Sequence, residues 1–571
     1  MKHKLVNSYI KENYIENLLK ERGVEDVEKF LHPSWSDIQD PFDLDNMEKG
    51  IRALLDVVEK DNSRILLIVD SDMDGYSSSA IIYSYIKRLK DIQIDYSLHT
   101  HKQHGLEDHI DEILNSEIKY DLIICPDSAS NDKEYIDQLD CPVLILDHHL
   151  VDKEISKNAI LINNQSSNAY LNKELSGGGV TWQFCRALDK TLGFNFADDY
   201  IDLAAFSIIG DMMGLKEIEN QAIIHHGTQL VQNKFLKVLC EKQDYSMGGK
   251  INPTTVAFYI VPLVNAMIRV GTMEEKNRLF QAFVDGDKLV PCNKRGAKGT
   301  MERVAVESAR ECVNAKSHQD KEKVQMADKL EGRIYENGLL DNKVLVVELN
   351  DTDTFSSELN GLICMYLSQK FQRPTAVVRR NDEGFLRGSC RGLNESELTS
   401  FKNFMDESGL FEYTAGHDQA YGCSLPVSNL DKFISYANEK LASINFSEGS
   451  YDVNFERHAL DFDLKDLIYD IAEHENIYGQ QMSEPLIYID SINLKKGDWR
   501  VMGQKKDTVA WEKNGIKYIQ FHANDLIEEL ESYPEVQIEI VGRATINEWM
   551  GTSNPQIMIK NYEIHNGKLS F

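Results

Sequence analysis

The chain has 571 residues, enough for three or four domains at ~150 residues each. Its 42% hydrophobic and 27% charged residues are ordinary for a water-facing globular protein, and no apolar run approaches the ~18 residues needed to span a bilayer. A formal charge of −30, from 62 basic and 92 acidic residues, excludes a broad basic face that coats duplex DNA. It does not exclude an enzyme whose clustered acids are neutralised by metal ions and whose narrow basic track holds nucleic acid in a salt-dependent way. Nine cysteines lie scattered without CxxC spacing, as in a reduced intracellular protein. The polar N-terminus lacks the apolar core of a signal peptide, so the expected location is cytoplasmic.

Residues 1–55 read as an N-terminal helical region, broken at Pro33 and at Asp40-Pro41-Phe42. Residues 56–240 alternate strand and helix patterns and predict an α/β domain with a doubly wound parallel sheet. Its centre is Arg64–Ser79, RILLIVDSDMDGYSSS. The run Ile65–Val69 reads as a strand buried on both faces, and it stops at Asp70, Asp72 and Asp74, with Gly75 permitting a sharp turn. Ligands of open parallel sheets bind beyond the carboxyl ends of the strands. Two further apolar runs end the same way, Tyr120–Asp127 at Asp127 and Pro142–His149 at Asp147, His148 and His149. One acid after one strand is an ordinary turn or cap residue. Three such ends make a convergent set of carboxylates and imidazoles, suited to Mn²⁺ or Mg²⁺ rather than to a cysteine-rich zinc site.

Between these strands, His99–Leu106 (HTHKQHGL) reads either as a structural loop or as one facing a phosphate. Leu175–Val180 (LSGGGV) opens a helix, and its glycines serve either tight packing or amide contacts to a phosphate. Ile201–Leu215 is helical and apolar nearly all round, which makes Asp211 within it costly unless it meets a charge or a metal. Residues 241–335 form a helical connector. Asn265 and Arg269 share a helix face there at i, i+4, the arginine serving a salt bridge or a phosphate, and residues ~300–335 suggest one long helix.

Residues 336–447 form a second, smaller α/β domain. In GFLRGSCRG and TAGHDQAYG, the groups Arg387, Ser389, Arg391, Gly416 and His417 suit either a phosphate grip or a plain polar hairpin. Residues 448–571 break into short strands, predicting a small OB-like β-barrel or sandwich.

DSDMDG, the strand-end Asp127, DHH at 147–149 and GD at 210–211 resemble the four motifs of DHH-superfamily phosphoesterases. Over nearly the whole chain after residue ~50, the order of LSGGGV, PLVNAMIRVG, RPTAVV, RGSCRG and AGHDQAYG resembles the RecJ family of single-strand-specific 5′→3′ exonucleases, with a phage-like divergence. NEWMGTSNPQIMIKNYEI resembles the end of that family's OB-fold domain. The chain departs from the family at Ala415, where the family has glycine before Gly416-His417. It departs again at HGL 104–106, which lacks the usual Arg and Tyr.

By motif position the resemblance implies Asp72, Asp74, Asp127, His148, His149 and Asp211 as catalytic metal ligands. Asp70 and Asp147 would stand behind them, bonding the ligands or fixing histidine tautomers. Arg269, Ser389, Arg391 and His417 would meet the DNA backbone. Two divalent ions, Mn²⁺ or Mg²⁺, would hydrolyse phosphodiesters of single-stranded DNA in repair, recombination or phage DNA metabolism, in a cleft between the two α/β domains. Trp511, Tyr518 and Trp549 are candidates for base stacking in the barrel. A helicase or single-strand-binding protein is the expected partner, with no membrane, and the chain is expected to be a monomer. The alternatives are a DHH phosphodiesterase for short oligoribonucleotides or cyclic dinucleotides, and a non-catalytic DNA-binding scaffold.

Overall fold

The computed structural model describes residues 1–350, 353, 359–549 and 552–566. The chain divides into two units. One runs from Val24 to His318 with Glu475–Ser483; the other joins Met1–Gly23, Gln319–His474 and the stretch from Glu484 onward.

The first unit is built on five parallel strands: β1 (Arg64–Val69), β2 (Gln93–Leu98), β3 (Leu122–Pro126), β4 (Val143–Asp147) and β5 (Ala159–Asn163). They lie in the order β2-β1-β3-β4-β5 and all pair in parallel, Ile65 opposite both Ile94 and Leu122. The unbroken apolar runs follow from this, because β1, β3 and β4 are covered on both faces and Ile65 to Val69 are buried without exception.

Helix α1 (Met73–Leu89) starts directly after β1, and Asp72 caps it by accepting from the Gly75 N–H at 3.0 Å. Helix α2 (Gly177–Leu192) starts at the LSGGGV stretch, with Ser176 as its cap and Gly193 in the left-handed region at its end. Helix α3 (Ile201–Gly210) packs with α2 against α1. The long apolar helix expected over 201–215 therefore ends earlier. Asp211 sits at the C-terminal cap rather than inside, and Met212 turns the chain at φ 54°.

The part of the helical connector that carries Asn265 and Arg269 begins irregularly. A π-turn at Val256–Ile260 leads into α4 (Val261–Val270), and α5 (Met273–Val284) follows behind a Thr272/Glu275 capping box. Together Pro253–Val270 make an 18-residue helical run that, by length and composition alone, could cross a bilayer. This corrects the expectation that no run reaches that length; half of the run is buried inside the protein.

The predicted long helix is α6 (Val304–Glu336), 33 residues that begin in the first unit and end in the second. In the second unit, β6 (Leu345–Leu349) pairs in parallel with β7 (Thr375–Arg380), and β8 (Phe385–Arg391), β9 (Tyr413–His417) and β10 (Ala420–Pro426) add antiparallel in the order β9-β10-β8-β7-β6. Helix α7 (Asn360–Phe371) covers β7 and β8.

The C-terminal region is one seven-stranded sheet. Its strands are β11 (Phe455–His458), β12 (Leu486–Lys495), β13 (Trp499–Met502), β14 (Thr508–Lys513), β15 (Ile516–Gln520), β16 (Glu535–Trp549) and β17 (Thr552–Asn566), in the order β11-β12-β16-β17-β15-β14-β13. Trp511 and Tyr518 face each other across β14 and β15, stacked at 5.7 Å and buried. They are core residues, which removes them as base-stacking candidates; the side chain of Trp549 lies outside the described residues.

Candidate metal centre

The strand order β2-β1-β3-β4-β5 reverses direction between β1 and β3, and such a switch point opens a crevice at the carboxyl ends of the strands. Every acid singled out from the first unit lies at that edge or reaches it. Asp70, Asp72 and Asp74 leave β1, Asp127 leaves β3, Asp147 ends β4 just before His148 and His149, and Asp211 arrives from the end of α3. His148 is the meeting point. Its Nε2 lies 3.2 Å from Asp127 Oδ1, 3.4 Å from Asp211 Oδ2 and 3.9 Å from Asp74 Oδ2. Single donor atoms of Asp74, His148 and Asp211 lie within 4.8 Å of one another, and so do those of Asp70, Asp72 and Asp127, and those of Asp127, Asp147, His148 and His149.

The glycines of LSGGGV create this geometry. The Gly177 and Gly178 N–H groups donate to Asp74 at 2.9 and 2.7 Å, and the Ser207 hydroxyl donates to the same carboxylate. A Cβ on Gly178 would lie 2.3 Å from Ser207 Oγ, and one on Gly177 would lie 2.4 Å from Asp127 Oδ1. The amides weighed as phosphate donors are thus committed to a buried acid, and the close approach requires glycine. Asp127 itself sits in the left-handed region at φ 61°, a conformation that aspartate adopts more readily than most residues.

Asp147 plays a different part. Its Oδ1 accepts from the His149 ring Nδ1 at 2.7 Å and from the His148 N–H at 2.7 Å, and its Oδ2 accepts from the Ser130 N–H at 3.2 Å. Asp70, completely buried, faces two further imidazoles: His104 Nδ1 at 2.5 Å and His99 Nε2 at 3.5 Å. The HTHKQHGL loop that carries them is pinned at three points. Ser71 Oγ donates to Gln103 O and accepts from its N–H, the buried Lys276 ammonium donates to Thr100 O at 2.8 Å, and Asp132 accepts from the Leu106 N–H. Gly105, at φ 78°, lets the chain pass Asp132. Of the two readings of this loop, the structure gives it a definite place beside Asp70. His104 and Ser207 are residues that sequence reasoning does not place at the centre. The histidine-rich spacing is the only signal for the first, and nothing local marks the second.

The electrostatics are those of crowded anions. Burial, with the charges of Asp74, Asp72, Asp70 and Asp211, pushes the Asp127 carboxyl well above the usual range. Burial raises Asp74 as well, against the pull of His148. Burial with the charges of Asp74 and Asp72 pushes Asp211 up to about 8, although 36% of its side chain remains exposed. Burial lowers His148. Burial also opposes the charge on His149, but the hydrogen bond and charge of Asp147 outweigh it and raise the imidazole to about 9. Asp147, though buried, is held below the usual range by His149 and His148.

Asp127 Oδ1, His148 Nε2 and Asp70 Oδ1 are buried without a hydrogen-bond partner among the described residues. Orphaned buried polar atoms are costly. Here two of them face each other across 3.2 Å in a set of oxygens and imidazoles. This is the donor chemistry of Mn²⁺ or Mg²⁺, and a divalent ion would relieve both the repulsion and the missing bonds. The residues fit such an ion. Another group, Cys292, Glu302 and Glu307, is instead occupied by the Arg310 guanidinium, which pairs with both glutamates.

The residues expected on DNA divide between the units. In the first, Asn265 Oδ1 accepts from the Met73 N–H at 3.0 Å, so it fastens α4 to the first turn of α1, and Arg269 lies one turn further along α4. In the second, Arg387, Ser389 and Arg391 alternate with buried Cys390 along β8. Across the sheet Arg391 pairs with Ala420 and Ala420 with His417, which sets arginine and histidine on one face. Arg387 is partly neutralised by Glu383 at 3.4 Å and Glu412 at 3.6 Å. Gly416, at φ 130°, packs against Tyr421 where a Cβ would touch its backbone.

Comparison with known proteins agrees with this architecture. The class is that of the DHH proteins: the N-terminal domain of the DHH family matches residues 64–208, and the RecJ OB domain matches residues 453–561. A Bacillus subtilis strain 168 protein, named as the SPbeta prophage-derived single-strand DNA-specific exonuclease YorK, is 32% identical over 559 residues, covering 96% of this chain and 95% of that one. The single-stranded-DNA-specific exonuclease RecJ of the same organism is 25% identical, covering 97% of this chain and 68% of that one. The crystal structure of RecJ in complex with Mn²⁺ from Thermus thermophilus shares the fold, with a TM-score of 0.71 at 17% identity over 98% of this chain and 79% of that one. The chain belongs to the RecJ family of DHH proteins, as its motifs implied.

Proposed function

We propose that this protein is a metal-dependent exonuclease that hydrolyses single-stranded DNA from the 5′ end, with two divalent ions at the β1/β3 switch point. The observation that carries the reading is the buried contact of His148 Nε2 with Asp127 Oδ1, two atoms lacking hydrogen bonds within a ring of acids. Relatives named as single-strand DNA-specific exonucleases support the substrate, and the match to the RecJ OB domain favours a long strand over a dinucleotide. Asp72, Asp74, Asp127, His148, His149 and Asp211 would hold the ions, which supply Lewis acidity and a water of lowered pKa when bound.

The chain's own residues do the rest. Asp147 keeps His149 oriented, the amides of Gly177 and Gly178 with the Ser207 hydroxyl hold Asp74 in one rotamer, and Asn265 fixes the turn between Asp72 and Asp74. Arg269, Arg387, Ser389, Arg391, Gly416 and His417 supply cationic and hydrogen-bonding groups for backbone phosphates. The expected regions are proposed with boundaries at 1–55, 56–240, 241–335, 336–447 and 448–571.

The test uses purified protein with Mn²⁺ or Mg²⁺ and oligonucleotides labelled at either end, single- and double-stranded, beside a dinucleotide. Release of the 5′ label first, from single strands only, is the expected result. Loss from the 3′ end first overturns the polarity. Turnover of the dinucleotide alone favours the small-substrate phosphodiesterase, and absence of metal-dependent cleavage favours the scaffold.

A further inference from the structure

Helix α4 enters the site through an irregular turn. Asn252 caps the preceding segment by accepting from the Thr255 N–H at 2.9 Å, and the chain then winds through the π-turn Val256–Ile260. Its wide register has a local cause. Pro262 has no N–H for the carbonyl four residues back, and the Val261 N–H bonds to Val256 O instead, one residue beyond the α-helical partner. The bulge buries Val256 and Ile260 and turns Phe258 and Tyr259 outward, 69% and 41% exposed. Among the described residues neither ring stacks on another aromatic side chain. Two adjacent rings left this exposed forgo much of the stabilisation that burial of aromatic side chains normally gives.

The segment that follows them runs to the metal centre. Val261, two residues on, packs beside Gly210, where a Cβ would meet Val261 Cγ2 at 3.8 Å, and Gly210 precedes Asp211. Asn265, one turn further, accepts from the Met73 N–H between Asp72 and Asp74. The aromatic pair therefore leads directly into the segment that touches the neighbours of the candidate ligands, Gly210 before Asp211 and Met73 between Asp72 and Asp74.

We propose that Phe258 and Tyr259 form a stacking platform for unpaired bases of the strand being degraded. This rests on the nuclease reading above and adds a means by which the site distinguishes single from double strands. A free strand offers base faces that an aromatic ring can cover, whereas a duplex hides them in its own stack. The contact carries no sequence code, because every base has such a face.

The test compares the full-length protein with the F258A/Y259A and F258W/Y259W double variants on single-stranded oligonucleotides, including a series with one abasic residue moved stepwise from the 5′ end. The alanine variant is expected to raise KM roughly 5- to 100-fold with kcat little changed, and the tryptophan variant to keep the wild-type KM. At one position in the series the abasic residue should impose the same rise on the wild-type protein and none on the alanine variant. A wild-type KM for the alanine variant overturns the proposal. So does a loss that every abasic substrate leaves unchanged, since that marks a structural effect. Wild-type protein that leaves single strands intact overturns the nuclease reading and this platform with it, whereas an active wild type with an indifferent alanine variant overturns the platform alone.

Discussion

Nδ1 of His149 donates to Asp147 Oδ1 at 2.7 Å. The direction is set by charge: a carboxyl held below its usual range is an acceptor only, so the ring nitrogen facing it carries the proton. That leaves Nε2 as the atom with which His149 can meet a cation. Asp147→Asn removes the charge and the enforced tautomer while preserving size. Mn²⁺ affinity should fall by ~10–100-fold, read from the Mn²⁺ dependence of turnover and from bound-Mn²⁺ resonance spectra. Unaltered affinity would mean that Asp147 only supports the backbone.

Asp127→Asn separates stability from activity. Asparagine tolerates the left-handed backbone at this position, so the turn survives. Asparagine relieves a buried carboxyl that folding forces to hold its proton among other acids, so it should raise the melting temperature of metal-free protein. The same change should cost at least ~100-fold in metal-dependent cleavage, because a direct ligand matters more than the residues behind it. A variant that is both less stable and active would contradict the placement of Asp127.

Gly178→Ala should reverse the normal preference of a helix. Alanine is favoured over glycine in helices by ~1 kcal/mol. Here its Cβ would lie 2.3 Å from Ser207 Oγ and 3.2 Å from Asp74 Oδ1. The expected outcome is a destabilisation of ~1–3 kcal/mol, as for overpacked cores, with weakened Mn²⁺ binding, checked by chemical denaturation and metal titration.

The pH dependence of stability has a definite sign. Asp211 rises from 3.8 to about 8 on folding, and His149 from 6.5 to about 9. Between pH 6.5 and 9 the folded chain therefore holds protons that the unfolded chain has released, so stability falls as pH rises. His148 and His99, both lowered, act below that window. Metal-free protein should lose melting temperature steadily from pH 6.5 to 9. Mn²⁺ should flatten the curve, since it binds the deprotonated ligands that the folded state otherwise disfavours. A melting temperature that climbs over this range would contradict the assigned shifts.

Much of this is legible because buried parallel strands announce themselves. Ile65–Val69, Leu122–Pro126 and Val143–Asp147 are continuous apolar runs, and an acid at the end of each can only lie at the sheet's carboxyl edge. Other features depend on distant partners. Nothing near Ser207 shows that its hydroxyl meets Asp74, 133 residues away. The amides of Gly177 and Gly178 look available for a phosphate because the acid that takes them comes from another helix. The early end of α3 is hidden by apolar residues on both sides of Gly210, where the chain turns to present Asp211. The chemistry of Trp511 and Tyr518 suits DNA, yet cross-strand pairing makes them each other's packing partner.

The missing side chain at Gly177 and the carboxylate of Asp127 occupy the same space. In the history of such a chain the two positions are not independent characters. A descendant that acquires even a methyl group at 177 must surrender the acid at 127 or reshape the strand end beneath it, and reversion at either position alone restores nothing. Drift at this corner should therefore be paired, and a lineage that has abandoned hydrolysis should betray itself first by bulk at 177.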